Sequence, residues 1–192
     1  MLACLCAGIS VIFCIMLHSF GKVFKTFSPN PYERVFFGGT VILCITLLLG
    51  TTRYSGTGIE VIVSAIGGTA RNTDFFWKML FTAITLACGY KGGEIIPSFF
   101  VGATFGCVIA PVLGLSSSLG AAIGMVSVFC GVTNCPIASL LIALELFGKV
   151  PILYFLLAIA ISYMLSGYYS LYKTQIIAVS KYKNEYVDKK TH

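Results

Sequence analysis

A glycine-rich segment in the middle of apolar sequence carries the residues best suited to binding an ion. The segment GGEIIP at 92–97 interrupts an apolar run, and Pro97 fits a first helical turn, where a missing N–H costs nothing. A helix beginning here would direct free backbone N–H groups, and about half a positive charge, toward whatever lies at its start. An anion could be held there without a cationic side chain. An ordinary loop between two helices explains the composition equally well.

Three side chains near breaks or ends of apolar runs could also act on an ion. Glu94 is a carboxylate in apolar sequence, which is costly at membrane depth and usually functional; the simpler alternative is a pair with Lys91 at an interface. Glu145 stands four residues before Lys149, which favours a structural ion pair over a proton relay. Tyr172 belongs by default to an aromatic belt at the membrane surface. The more specific interpretation is that the Tyr172 hydroxyl faces an ion pathway and acts as a hydrogen-bond donor.

The composition indicates that lipid is the solvent of this chain. Hydrophobic residues make up 57% and charged residues 10%, against about 45–50% and about 25% in soluble domains. Residues 95–144 contain no Asp, Glu, Lys or Arg. We therefore predict an all-α integral membrane fold, a polytopic bundle of unequal, tilted and broken helices. The net charge of +6 comes from short basic clusters. We interpret these clusters as signals that orient the chain in the membrane, and not as a nucleic-acid-binding surface.

Motifs for catalysis, metals and cofactors are absent from the sequence. The two histidines are His18 and His192, so no HExxH zinc motif exists, and no GxSxG elbow or phosphate loop occurs. Most of the eight cysteines fall inside apolar runs, where a thiol packs as a small hydrophobe. We expect no enzyme, no cofactor and no metal site.

Apolar runs and breaks predict the helices. We expect helices over residues 1–20, 35–49, 59–66, 79–88, 98–113, 119–130, 136–147 and 150–166, then a short polar piece over 168–180. Trp77 and Lys78 are expected to mark a membrane interface, and the serines at 116–118 to cap a helix. The pairs Gly102 with Gly106 and Gly120 with Gly124 would let two helices approach closely. Such unequal helices are typical of channels and transporters.

Several segments together resemble one family. GYKGGEIIPSFFVGATFG at 89–106 resembles the glycine-glycine-x-x-x-proline motif and glycine-rich helix of CLC chloride channels and proton-coupled antiporters. Residues 120–148 resemble that family's next two helices, including a proline break and an ELF ending. SGYYSLYKTQII at 166–177 resembles its last membrane helix, which begins with the pore tyrosine. YSGTGIEVIVSAIGG at 54–68 fits its short helices, so the resemblance covers roughly residues 50–181 in order.

The resemblance implies chloride transport across a membrane, by the carboxy-terminal half of a CLC pore. Backbone N–H groups at the start of the glycine-proline helix would coordinate the anion, together with a tyrosine hydroxyl. It implies a homodimer in the lipid of the cell membrane, with residues 134–166 contributing to the dimer face. Residues 1–181 would form the transmembrane domain and 182–192 a polar cytoplasmic tail. The implied anion-binding residues are Gly92, Gly93, Glu94, Ile95, Ile96 and Tyr172, with Pro97 at the helix start.

Departures from the family pattern leave two alternatives. The usual aromatic residue after the two glycines is absent and Glu94 stands among the coordinating positions, so a fluoride/proton antiporter of the same family is the first alternative. No GSGIP-like or GxEGP-like motif is present, although the amino-terminal half of the family carries both. We therefore interpret the chain as the second of two inverted repeats. A non-transporting fragment or assembly partner is the second alternative.

Overall fold

Helices dominate the protein, as the apolar runs predicted. The computed structural model describes residues 1–148, 152–172, 174–181 and 185–191. Its helices are α1 (Leu2–Phe27), α2 (Pro31–Leu49), α3 (Ile59–Ile66), α4 (Asp74–Ala87), α5 (Ile95–Ile109), α6 (Ser117–Thr133), α7 (Pro136–Phe147) and α8 (Ile152–Leu165). A 3-10 turn at Pro111–Leu113 follows α5, and two antiparallel strands, β1 (Ile176–Val179) and β2 (Tyr186–Lys190), follow α8.

Helix lengths are unequal, as expected of a bundle with broken helices. Within the described ranges, α1 and α2 are long and apolar enough to cross a membrane by length and composition. Four further apolar helices, α5 to α8, have 10–17 residues. In α2 the only fully buried residue is Gly38. Ile42, Ile45 and Leu49 pack against the core, while most of the other apolar side chains of α2 are exposed. An outward apolar surface of this kind requires lipid or further protein around it.

Turn chemistry decides where several helices begin and end. The first helix was predicted to stop near Gly21, but α1 continues to Phe27 and ends where Ser28 turns extended before Pro29, a position that proline disfavours for a helix. The Asn30 side chain accepts the Tyr32 N–H at 3.2 Å and starts α2. Ser116 caps α6 in the same way, accepting the Leu119 N–H at 3.4 Å, so the predicted serine cap is confirmed.

A close backbone contact joins α5 to α6 through the two predicted glycine pairs. A Cβ added at Gly102 would stand 2.5 Å from the Gly124 carbonyl oxygen, and one at Gly106 would overlap the Gly120 carbonyl. Without side chains the two backbones touch, and dispersion contacts replace the hydrophobic drive that lipid removes. The predicted close approach is confirmed.

Buried charges hold the loop at 51–58 over α4. Asp74 is fully buried and accepts from Arg53 Nη2 at 3.0 Å and from the Tyr54 hydroxyl at 2.7 Å. Burial, followed by the hydrogen bond to Asp74, raises the pKa of Tyr54 to about 12, which keeps its hydroxyl a donor. Lys78, which was predicted to mark a membrane interface, is buried within the protein. Its side chain is 3% exposed because it donates inward, to the carbonyls of Tyr54 and Gly56.

The segment after α8 departs from the prediction. It was expected to match the last membrane helix of the family, yet described residues 166–181 contain a turn and strand β1 rather than a helix. Gly167 has a φ of 58°, which ends α8, and the β-branched Ile176, Ile177 and Val179 suit a strand. The expected boundary between residues 181 and 182 lies between the strands. The expected pair of Glu145 with Lys149 lies outside the described residues.

Candidate functional site

The glycine-rich break is an unwound segment that leads directly into a helix. Residues 88–94 are not helical, and α5 begins at Ile95 with Glu94 as the residue before its first turn. At a helix start the first N–H groups have no intrahelical acceptor, which applies here to Ile95 and Ile96. Pro97 lacks an N–H and so leaves no further donor unsatisfied. The predicted helix start after the glycine-rich break is therefore present.

One cleft brings together all the predicted anion-binding residues. It has a volume of about 730 Å³. Its lining residues are Gly92, Gly93, Glu94, Ile95, Ile96, Leu171, Tyr172 and Thr174. The start of α5 forms one wall and the segment after α8 forms the other. Residues nearly eighty positions apart in sequence thus share a single opening, although the second wall is not the helix that the resemblance implied.

The end of α6 positions Tyr172. Helix ends leave carbonyl groups without partners, and the segment after α8 supplies donors for them. The Leu171 N–H donates to the Val132 carbonyl at 2.9 Å, and Gln175 Nε2 donates to the Thr133 carbonyl at 3.1 Å. Ser170 Oγ accepts the Tyr172 N–H at 3.2 Å. Tyr172 is therefore held by its backbone, while 42% of the residue stays exposed beside the cleft.

A buried lysine fastens the same segment to the bundle from the other side. Lys181 is 9% exposed, and its ammonium donates to the Tyr163 carbonyl at 2.8 Å and to the Asn134 side chain. The ammonium also lies 4.1 Å from the centre of the Tyr163 ring, a favourable cation–π contact. Positive charge at the ends of α6 and α8 complements their helix dipoles. The wall that carries Tyr172 is thus anchored at both ends.

Glu94 is the acidic group of the cleft. It is half-buried, and its carboxylate has neither a hydrogen bond nor an ion pair with any described residue. The predicted alternative, a pair with Lys91, is not formed, and Lys91 is exposed. No cluster of metal-ligating side chains occurs in the described part of the chain. The cleft therefore offers backbone N–H groups and a hydroxyl, with a carboxylate at its edge.

Comparison with known proteins identifies the family to which this chain belongs. The family model described as "Voltage gated chloride channel" matches residues 1–167, which include α1 to α8. The chain belongs to the voltage-gated chloride channel, or CLC, family. The resemblance predicted from the glycine-proline segment is confirmed. Tyr172 lies just beyond the matched span, so the family model does not include it.

Two curated proteins match most of this chain. A "Chloride/fluoride channel protein" of Pseudomonas syringae pv. tomato is 35% identical over 178 residues, 90% of this chain and 39% of that protein. An uncharacterized protein of Methanocaldococcus jannaschii is 22% identical over 150 residues, 73% of this chain and 38% of that protein. The chain thus spans about two fifths of the length of these curated relatives, consistent with the predicted half.

A solved CLC structure has the same fold. The crystal structure of a CLC-type fluoride/proton antiporter superimposes with a TM-score of 0.86 at 30% identity, covering 89% of this chain and 44% of that one. Membership of this family makes the chain an integral membrane protein. The exposed apolar face of α2 then has a physical explanation, since lipid or further protein covers it.

Sequence reasoning missed the residues that build the second wall of the cleft. These residues act through side-chain bonds that join positions 15 or more residues apart, or positions within one turn; they are Asn134, Ser170, Gln175 and Lys181. One signal was available: Asn134 stands in GVTNCP, and asparagine tolerates the left-handed conformation that ends a helix, here with a φ of 56°. The break there was expected over 131–136, but α6 continues to Thr133 and only Asn134 and Cys135 separate it from α7.

Proposed function

We propose that this chain forms part of a pathway for chloride or fluoride across a membrane. The observation that carries the proposal is the cleft in which the open N-terminus of α5 faces the segment of Tyr172. Backbone N–H groups and a hydroxyl can replace part of an anion's hydration shell without the tight binding of a full positive charge. The Gly92, Gly93, Glu94, Ile95 and Ile96 backbone would supply one side of the site, and the Tyr172 hydroxyl the other.

The arrangement supports transport and not a chemical conversion. The partial charge that stabilises the anion comes from aligned peptide dipoles. These dipoles cannot move or titrate, so the ion leaves the site chemically unchanged. Chloride is the first candidate, because the family is that of chloride channels. Fluoride with proton exchange is the alternative. The unpartnered Glu94 favours it, since a carboxylate beside an anion site can exchange a proton with the passing ion.

The proposal also includes the location and the oligomeric state of the chain. The chain would lie in the cell membrane with its carboxy-terminal tail in the cytoplasm, and would work as a homodimer. The outward apolar side chains of α7 and α8, among them Leu141, Leu153 and Leu157, support a lipid or dimer contact there. Because the chain spans about two fifths of its curated relatives, the whole pathway would need a further membrane segment or chain.

Ion efflux from proteoliposomes tests the proposal. Vesicles loaded with chloride or fluoride carry the full chain, and a halide-selective electrode follows release. Anion efflux above that of empty vesicles supports transport, and lumenal pH separates the two forms, since only the antiporter changes pH as fluoride leaves. Halide binding in detergent without efflux would agree with a chain that forms part of the pathway and needs a further membrane segment or chain to complete it. Absence of both binding and efflux would refute the proposal.

A further inference from the structure

Lys78 is a buried cation that the cleft does not use. It is 3% exposed on α4, and an ammonium has three N–H donors. Two of them go to the carbonyls of Tyr54 and Gly56. The carboxylate one turn earlier, Asp74, is bound to Arg53 in the one ion pair of the described chain. The buried Lys78 ammonium therefore has no ion pair with a carboxylate of any described residue.

A second cavity has Lys78 among its lining residues. Its volume is about 120 Å³, and its lining includes Lys78, Thr82, Thr85, Gly92, Gly93 and Pro97. The two threonine hydroxyls donate to carbonyls of their own helix, at 2.8 and 2.7 Å. The ammonium of Lys78 is thus the strongest donor available to a guest here. A halide ion with one or two waters fits, since a water occupies about 30 Å³.

The glycine pair separates this cavity from the cleft. Gly92 and Gly93 line both spaces, one with Lys78 and the other with Glu94 and Tyr172. The Lys78 cation on one side of the glycine pair and the first turn of α5 on the other both favour negative charge, whereas the Glu94 carboxylate in the cleft opposes it.

We propose that the Lys78 cavity is a second subsite for a small monovalent anion, a halide, next to the Glu94–Tyr172 cleft. The subsite rests on the proposed function, because its guest would be the transported ion. The two carbonyls that accept from Lys78, and the Phe100 ring 5.2 Å from its ammonium, partly satisfy the charge. Partial satisfaction matters, because an anion must be held weakly enough to leave.

Bromide provides a position-resolved test in the full chain. Crystals grown in bromide should show two anomalous peaks per chain, one in the Lys78 cavity and one in the Glu94–Tyr172 cleft. A peak in the cleft alone would overturn the subsite and leave the proposed function standing. Peaks in neither place would overturn both. This measurement uses the unaltered protein, so it does not depend on the folding of a variant.

Two matched variants then assign the role of Lys78. Lys78→Met should remove the cavity peak, keep the cleft peak, and weaken bromide binding to that subsite on the order of tenfold, as for a lost charged hydrogen bond. Lys91→Met removes the same charge from an exposed position close to the same glycines in sequence and should keep both peaks. A cavity peak that survives in Lys78→Met would overturn the role given to Lys78, whose bonds to Tyr54 and Gly56 would then be structural only.

Discussion

The Asn134 side-chain amide donates to the Tyr169 backbone carbonyl at 2.8 Å, and this bond joins the end of α6 to the segment that carries Tyr172. Asn134 also has the left-handed backbone that ends α6, with a φ of 56°, and its side-chain oxygen accepts from Lys181. A single residue therefore terminates a helix and fastens the second wall of the cleft. Its side chain and its backbone can be tested separately.

Replacing Asn134 should separate these two contributions. Asn134→Gly keeps the left-handed backbone and loses the two side-chain bonds, at about 1 kcal/mol each. Asn134→Ala loses the same bonds and adds the cost of a left-handed alanine, about 1–2 kcal/mol. We expect both variants to be less stable in detergent unfolding, with alanine the worse. Equal stability of the two would contradict the backbone role, and unchanged stability of both would contradict the contacts themselves.

Removing the Tyr172 hydroxyl should weaken the cleft for anions. Tyr172→Phe keeps the ring but deletes the donor proposed to face the ion, which corresponds to about 1 kcal/mol, or several-fold in halide affinity. Halide binding and vesicle efflux measure the change. Tyr186→Phe is the matched control, because Tyr186 is 91% exposed in β2. Equal effects of the two substitutions would show that the Tyr172 hydroxyl makes no contact with the ion.

Neutralising Glu94 should make the cleft more favourable for halides. Its carboxylate lines the cleft without a partner among the described side chains, so its charge repels a bound anion. At an effective dielectric near 20 such repulsion reaches a few kcal/mol at contact distance. Glu94→Gln should therefore raise chloride affinity about tenfold or more, measured by isothermal titration.

The matched control for Glu94 is Glu145→Gln. Glu145 is exposed on α7 and is not among the residues that line the cleft. Its neutralisation should leave halide affinity unchanged. If proton exchange accompanies fluoride efflux, Glu94→Gln should also abolish the pH change in the lumen. Lower halide affinity in Glu94→Gln would contradict the repulsion and indicate that the carboxyl group donates to the ion as an acid.

Adding one methyl group to the α5–α6 contact should destabilise the bundle. Gly106→Ala places a Cβ against the Gly120 carbonyl, where neither backbone can yield without moving a helix. Overpacking of this kind costs about 1–3 kcal/mol. Gly8→Ala in α1 is the control, since a Cβ there meets nothing within 4 Å, and alanine favours the helix by about 0.5–1 kcal/mol. Opposite shifts in thermal unfolding are expected; a neutral Gly106→Ala would contradict the contact.

Local patterns predicted much of the bundle because they act over a few residues. Helix α3 and helix α7 were placed correctly from glycine and proline breaks, and the serine cap of α6 and the glycine contact of α5 with α6 followed from spacing alone. The end of α1 was misplaced because Gly21 is tolerated inside a helix when Pro29 supplies the stronger stop.

The sequence by itself determined the solvent, the helical class, and the glycine-proline segment that starts α5. Those follow from charge depletion and from residues adjacent in the chain. Only the tertiary structure decided that Tyr172 stands across a cleft from that segment, that Lys78 is buried, and that Glu94 and Lys91 do not pair. The physical reason is that a buried polar group must find a hydrogen-bond partner. Which group becomes that partner depends on how the helices pack, and the spacing of residues along the sequence does not determine it.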